Sequence, residues 1–118
     1  MIKYKMKNDL KTAAEVVSRP IINYLKEKNP KQQYNIDINN RNSMYDAITT
    51  LTIKEDGLFG VSICEIYNSQ SHSPRYTSLN RNILQQQKLE EIMKGIDVKS
   101  ILDSVNQPKK EEFGYKLV

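Results

Sequence analysis

Apolar residues recur along this chain with two different periods, and the change of period marks out its elements. Between residues 8 and 28, Leu10, Ala14, Val17, Ile21 and Leu25 return at helical spacing, with Asn8 or Asp9 placed to cap the start. Pro20 falls inside that run. Proline lacks an N–H and crowds the preceding turn, so the pattern predicts a kink, or two short helices with Ser18 capping the second. Asn29-Pro30 closes the element. Ahead of it, residues 1–7 alternate apolar side chains with lysine and predict a short edge strand or a mobile basic arm.

From residue 34 the period falls to two. Tyr34, Ile36 and Ile38 alternate with Asn35, Asp37 and Asn39, the pattern of a strand with one wet face, and the polar NNRNSMYD that follows reads as a loop. A Thr- and Ile-rich second strand is expected over residues 47–54. Glu55-Asp56-Gly57 then turns into a third strand over residues 58–67, apolar on both faces and therefore central. After the polar NSQSHSP, a short fourth strand is expected over residues 75–79. Asn80 caps a helix whose apolar set is Ile83, Leu84, Leu89, Ile92 and Met93, ending at Gly95. Asp97, with Ser100 three residues on, starts another short helix burying Val98, Ile101, Leu102 and Val105. Pro108 bars its continuation, and an amphipathic tail follows over residues 109–118. No repeat or low-complexity tract interrupts this order.

The fold class predicted is α+β: an N-terminal helix, four strands and a C-terminal helix, with extra helices. A length of 118 residues fits one domain, divided into a basic helical extension (1–31), the ββββα core (33–97) and a short helix with tail (98–118). With 38% hydrophobic and 27% charged residues and a mean hydropathy of −0.65, the core is modest, and a partner subunit is expected to bury further apolar surface.

Charge and chemistry narrow the function. The net charge is +4 and the pI about 9.1, compatible with anionic partners. Lys3, Lys5 and Lys7 belong to a solvated N-terminus or to a nucleic-acid-gripping arm. A single cysteine, Cys64, excludes an internal disulfide, suits a reducing cytoplasm and reads as a buried structural thiol. No apolar run approaches the ~20 residues of a membrane span, and no signal-peptide core is present. The lone His72 in a Ser-rich loop speaks against zinc, and no glycine-rich phosphate loop occurs. Composition leaves a Ser/His dyad open, but no serine sits on a recognisable nucleophile turn. Glu90-Glu91 beside Lys88 and Lys94 is a solvated helix face. The expectation is a non-enzymatic protein without metal or cofactor.

Three segments carry a resemblance: ICEIY at residues 63–67, PRYTSLN at 74–80 and KLEEIMKGID at 88–97. In order and chemistry they resemble the single-stranded-DNA-binding transcriptional coactivators called positive cofactor four, with their bacterial and phage relatives, over residues 58–97. The resemblance implies a curved four-stranded antiparallel sheet followed by a helix, a ββββα core, and a homodimer formed through that helix, with the sheets lining channels for DNA. It places the family's strand-end aromatic on Tyr67, its basic hairpin residues on Arg75 and Tyr76, and a second-strand basic residue on Lys54. The chain departs from the pattern at Cys64, where the family usually has arginine, and at Ser73-Pro74, where it has a basic glycine-rich turn.

Residue chemistry reaches a similar expectation without the family. Single-strand binders combine cationic grooves with aromatic faces on which bases stack. Tyr67, Arg75, Tyr76 and Arg81 lie close in sequence, and a helix start at Asn80 would favour a phosphate. The function expected is binding of single-stranded DNA, or RNA, in replication, recombination or transcription. The alternative is a protein-interaction module, such as a phage-encoded inhibitor of a host factor. A third option, duplex binding by a helix-turn-helix at residues 8–28, suffers from Pro20 and the lack of a glycine turn. The charge on the sheet's concave face discriminates between the first two: Lys, Arg and Tyr for nucleic acid, acidic or apolar groups for a protein partner.

Overall fold

The computed structural model describes residues 2–105, with side chains from Asp9 onward. The side chains of Lys3, Lys5 and Lys7 and the expected tail at 109–118 lie outside the described residues.

The first element is one helix, α1 (Ile2–Lys28), with Pro20 inside it. The division into two helices, the Ser18 cap and the strand at residues 1–7 are therefore corrected. Continuity follows from packing: Val17, Ile21 and Leu25 are buried on both sides of the proline. Burying a Val, Leu or Ile contributes ~1.5–3 kcal/mol each, enough together to offset the ~3 kcal/mol a proline costs. Ser18 lies on the same buried face, and its hydroxyl has no partner among the described residues.

Four antiparallel strands follow in the order β1-β2-β3-β4. They are β1 (Tyr34–Asn42), β2 (Ala47–Glu55), β3 (Ser62–Ser69) and β4 (His72–Ser78). Each joins the next by a hairpin, so the sheet is open with β1 and β4 at its edges. β1 runs three residues beyond the alternation that predicted it, drawing Asn40, Arg41 and Asn42 out of the expected loop. β3 begins at Ser62 and not Leu58. Gly57 (φ +146°) and Gly60 (φ +20°) shape the loop before it, closed by the Gly60 N–H donating to the Gly57 carbonyl at 3.3 Å. Leu58 and Phe59 stand at its tip, 94% and 89% exposed. The register slips between Ile53 and Lys54, making Ile63 the extra residue of β3. Successive residues Ile63 and Cys64 are thereby both buried.

Strand pairing sorts the side chains into two faces. Leu51 lies opposite Ile66, Ile53 opposite Cys64, and Tyr76 opposite Ile66 from the other side. These residues form one cluster with Leu10, Ala14, Val17, Ile21, Leu25, Leu84, Leu89, Met93, Val98 and Leu102. The helices therefore back this face. The long helix expected after β4 is instead a turn, in which the Asn80 carbonyl accepts from the Ile83 and Leu84 N–H groups, followed by α2 (Gln86–Met93). The expected cap at Asn80 and helix-start phosphate site are thus replaced. α3 (Val98–Asp103) begins as predicted, the Asp97 carboxylate accepting from the Ser100 N–H at 3.2 Å and hydroxyl at 2.8 Å. Lys99 then ties α3 to the sheet. Its ammonium donates to the carbonyls of Ser69 (2.8 Å), Gln70 (2.8 Å) and His72 (3.1 Å) and pairs with Asp103 at 3.2 Å.

Candidate nucleic-acid interface

The face of the sheet opposite the core carries the candidate interface. Strand alternation places on it Asp37, Asn39 and Arg41 from β1, Thr50, Thr52 and Lys54 from β2, Glu65 and Tyr67 from β3, and Arg75 and Thr77 from β4. These side chains are half-buried or exposed. The face is polar, with cations at Arg41, Lys54 and Arg75 and anions at Asp37 and Glu65. It is neither acidic nor apolar, the two compositions that would have favoured a protein partner outright.

Tyr67 and Arg75 are directly opposed on β3 and β4, and the Arg75 guanidinium lies 4.7 Å from the centroid of the Tyr67 ring. This cation–π contact holds the guanidinium against the Tyr67 ring on that face. Lys54 shares the face, but its ammonium meets Asp37 at 2.7 Å, so part of its charge is already neutralised.

Tyr76 falls on the opposite face. It is half-buried against the core, its backbone carbonyl accepts from Gln86, and burial, then the charge of Asp97, raise its hydroxyl above the usual phenol range. Alternation requires this separation: neighbours on a strand point to opposite faces, so Arg75 and Tyr76 cannot share one surface. Arg81 is exposed in the turn between β4 and α2, away from the Tyr67–Arg75 pair in the sheet. Arg41 also joins this face, from a stretch whose sequence reads as a loop. No apolar alternation extends through residues 39–42 to reveal the strand that carries it.

The histidine is bound into the β3–β4 hairpin. Ser71 donates its hydroxyl to Asp46 at 2.6 Å, and the Ser71 oxygen lies 3.1 Å from His72 Nδ1. Asp46 also accepts from the Gln70 N–H at 3.0 Å and the Ala47 N–H at 2.9 Å. Serine here stands between acid and imidazole, whereas nucleophilic relays place the imidazole in the middle. The cluster pins two hairpins together. Among the described residues, no group of three or more His, Cys, Asp or Glu side chains could hold a metal, and no helix is long and apolar enough to cross a membrane.

Compared with protein-family models, curated proteins and solved structures, the chain matches none.

Proposed function

We propose that this chain is a non-enzymatic, cytoplasmic protein that binds single-stranded DNA on the open face of its sheet, as an accessory to replication, recombination or transcription. The observation that carries the reading is the Arg75 guanidinium held over the Tyr67 ring at 4.7 Å on a polar face that no other described element covers. A base stacks on the guanidinium plane, Arg41 offers a cation to the backbone, and the Thr and Asn side chains around them donate without selecting sequence. The resemblance to positive cofactor four supports the same surface through Tyr67 and Arg75. Tyr76 has no part in it.

Binding to a dT oligonucleotide should be measurable at low salt and weaken steeply as salt rises, because phosphate contacts release counterions. The double variant Tyr67→Ala, Arg75→Ala should bind about tenfold or more weakly, since stacking contributes ~1–3 kcal/mol per base, with an unchanged circular dichroism spectrum. Duplex DNA and RNA of equal length form the comparison arms. No binding at low salt, or unaltered affinity in the variant, would overturn the reading.

One observation favours the second reading, a protein-interaction module such as a phage-encoded inhibitor. Leu58 and Phe59 project from the glycine-shaped β2–β3 loop at 94% and 89% exposure, an apolar tip that no part of the described chain covers. If Leu58→Ser, Phe59→Ser abolishes a cellular effect that survives in the Tyr67/Arg75 variant, the tip is the working surface.

A further inference from the structure

The two edges of the sheet differ in a way that points to a partner. The Asp56 N–H donates to the Gln33 carbonyl and the Ser43 N–H to the Asp46 carbonyl, each at 2.8 Å. In the register that sets Tyr34 opposite Glu55, both bonds join directly opposed residues at odd-numbered positions of the first strand. Antiparallel ladders alternate bonded and non-bonded pairs. Tyr34, Ile36, Ile38 and Asn40 must therefore turn their N–H and C=O groups outward, and these groups have no partner among the described residues.

The β4 edge is closed instead. The Leu79 N–H bond to the Ile63 carbonyl at 2.8 Å fixes the same alternation there, so Pro74, Tyr76 and Ser78 face outward. Pro74 has no N–H to offer. The Ser78 N–H donates to Gln86 Oε1 and Gln86 Nε2 donates to the Tyr76 carbonyl, both at 2.7 Å, so one side-chain amide fills the edge as a strand would. Sheet proteins blunt exposed edges with proline, bulges, lysine or a covering group, and among the described residues β1 has none of these.

We propose that the β1 edge is the interface between two copies of this chain, paired antiparallel about a two-fold axis at Asn39. Charge selects that register. It sets Asp37 opposite Arg41 of the second copy, and Arg41 opposite the second copy's Asp37. Arg41 has no ion-pair partner among the described residues of its own chain. Centring the axis on Asp37 would set that carboxylate against itself, which costs stability. On the core face, a groove of ≈ 680 Å³ runs between α1 and β1, lined by Leu10, Ala14, Ile36 and Ile38, with Ile38 still 37% exposed. A neighbouring strand brings its own Ile36 and Ile38 to this groove. Lys11 and Glu15 line the same groove from α1.

This surface differs from the helix that the family resemblance would use. Leu84, Leu89 and Met93 of the α2 region are buried in the chain's own core, and α2 turns Gln87, Glu90 and Glu91 outward. The proposal does not rest on nucleic-acid binding and is tested without it, although it engages Arg41, and Asp37 keeps its own-chain contact with Lys54 at 2.7 Å.

The full chain should run in solution at twice its 13.7 kDa mass. Asn39→Cys should form a disulfide across the axis under mild oxidation, because non-bonded antiparallel pairs hold their Cα atoms ~4.5 Å apart. Asp37→Cys should not, and the native Cys64 is buried and will not compete. Arg41→Glu should weaken dimerisation about tenfold or more, and Asp37→Lys with Arg41→Glu should restore it. In the dimer, the amides of Ile36, Ile38 and Asn40 should be protected from hydrogen exchange. A monomeric mass for the full chain overturns the proposal, with those amides protected or not. So does a dimer that fails to cross-link at position 39 or is indifferent to Arg41→Glu.

Discussion

At the scale of single residues, the titratable groups divide by what surrounds them. Cys64 lies beside Ile53 on the core face, and burial pushes its thiol up to about 12. The thiolate is the reactive form, so the folded protein should not react with a disulfide reagent at pH 8, while the denatured protein should react stoichiometrically. Rapid labelling of the native chain would mean that the core opens there. Asp46 moves the other way: the Ser71 hydroxyl above all holds its carboxyl below the usual range, burial opposes this, and the backbone N–H groups of Gln70, Ala47 and Ser71 add to the lowering. A carboxyl lowered by folding stabilises the fold above its unfolded value of ~3.9, and that contribution vanishes as pH falls through the folded value. The melting temperature should therefore drop more between pH 7 and pH 3 in the native chain than in Asp46→Asn. Equal drops would remove Asp46 from the acid response. The composition suggested the first of these residues, since a cysteine in an apolar run is usually buried. It could not suggest the second, because Asp46 finds Ser71 only when two hairpins fold side by side.

Elements were legible where one period dominated and misread where local chemistry competed with distant packing. Pro20 shows the competition. Its missing N–H leaves the Val16 carbonyl without its intrahelical donor, and sequence rules break the helix there. The structure keeps one helix because Val17 and Ile21 flank the proline on the buried face. Pro20→Ala should then stabilise the protein by about 1–3 kcal/mol in urea unfolding, less than the full helix-interior penalty because the backbone has already adjusted to proline. A loss of stability would show that the ring's contacts matter more than the restored hydrogen bond. The third strand was misjudged for a related reason. Leu58, Phe59 and Val61 continue its apolar run, but the positive φ at Gly57 and Gly60 bends them into a loop. The extra residue Ile63 also breaks strict alternation just where a reader would use it to find the strand's start.

For the whole molecule, the α+β order of helix, four strands and closing helices was legible from periodicity, and the antiparallel sheet followed from the resemblance. The candidate surface was legible only in part. Tyr67 and Arg75 share a face because they sit opposite each other on neighbouring strands, a register no single segment encodes. Arg75 and Tyr76 are parted by the strand's own two-residue period, which sequence reading could have applied once the fourth strand was drawn. The Gln86 amide seated on β4 has a consequence for how far the molecule can associate. A sheet that can accept a neighbour on both sides grows without limit, as fibrils do. A sheet with one receptive side is finished after a single addition. By occupying the far side with its own side chain, the chain sets a ceiling of two on sheet-mediated assembly. Gln86→Ala would remove that ceiling only partly, because Pro74 still denies the incoming strand an N–H.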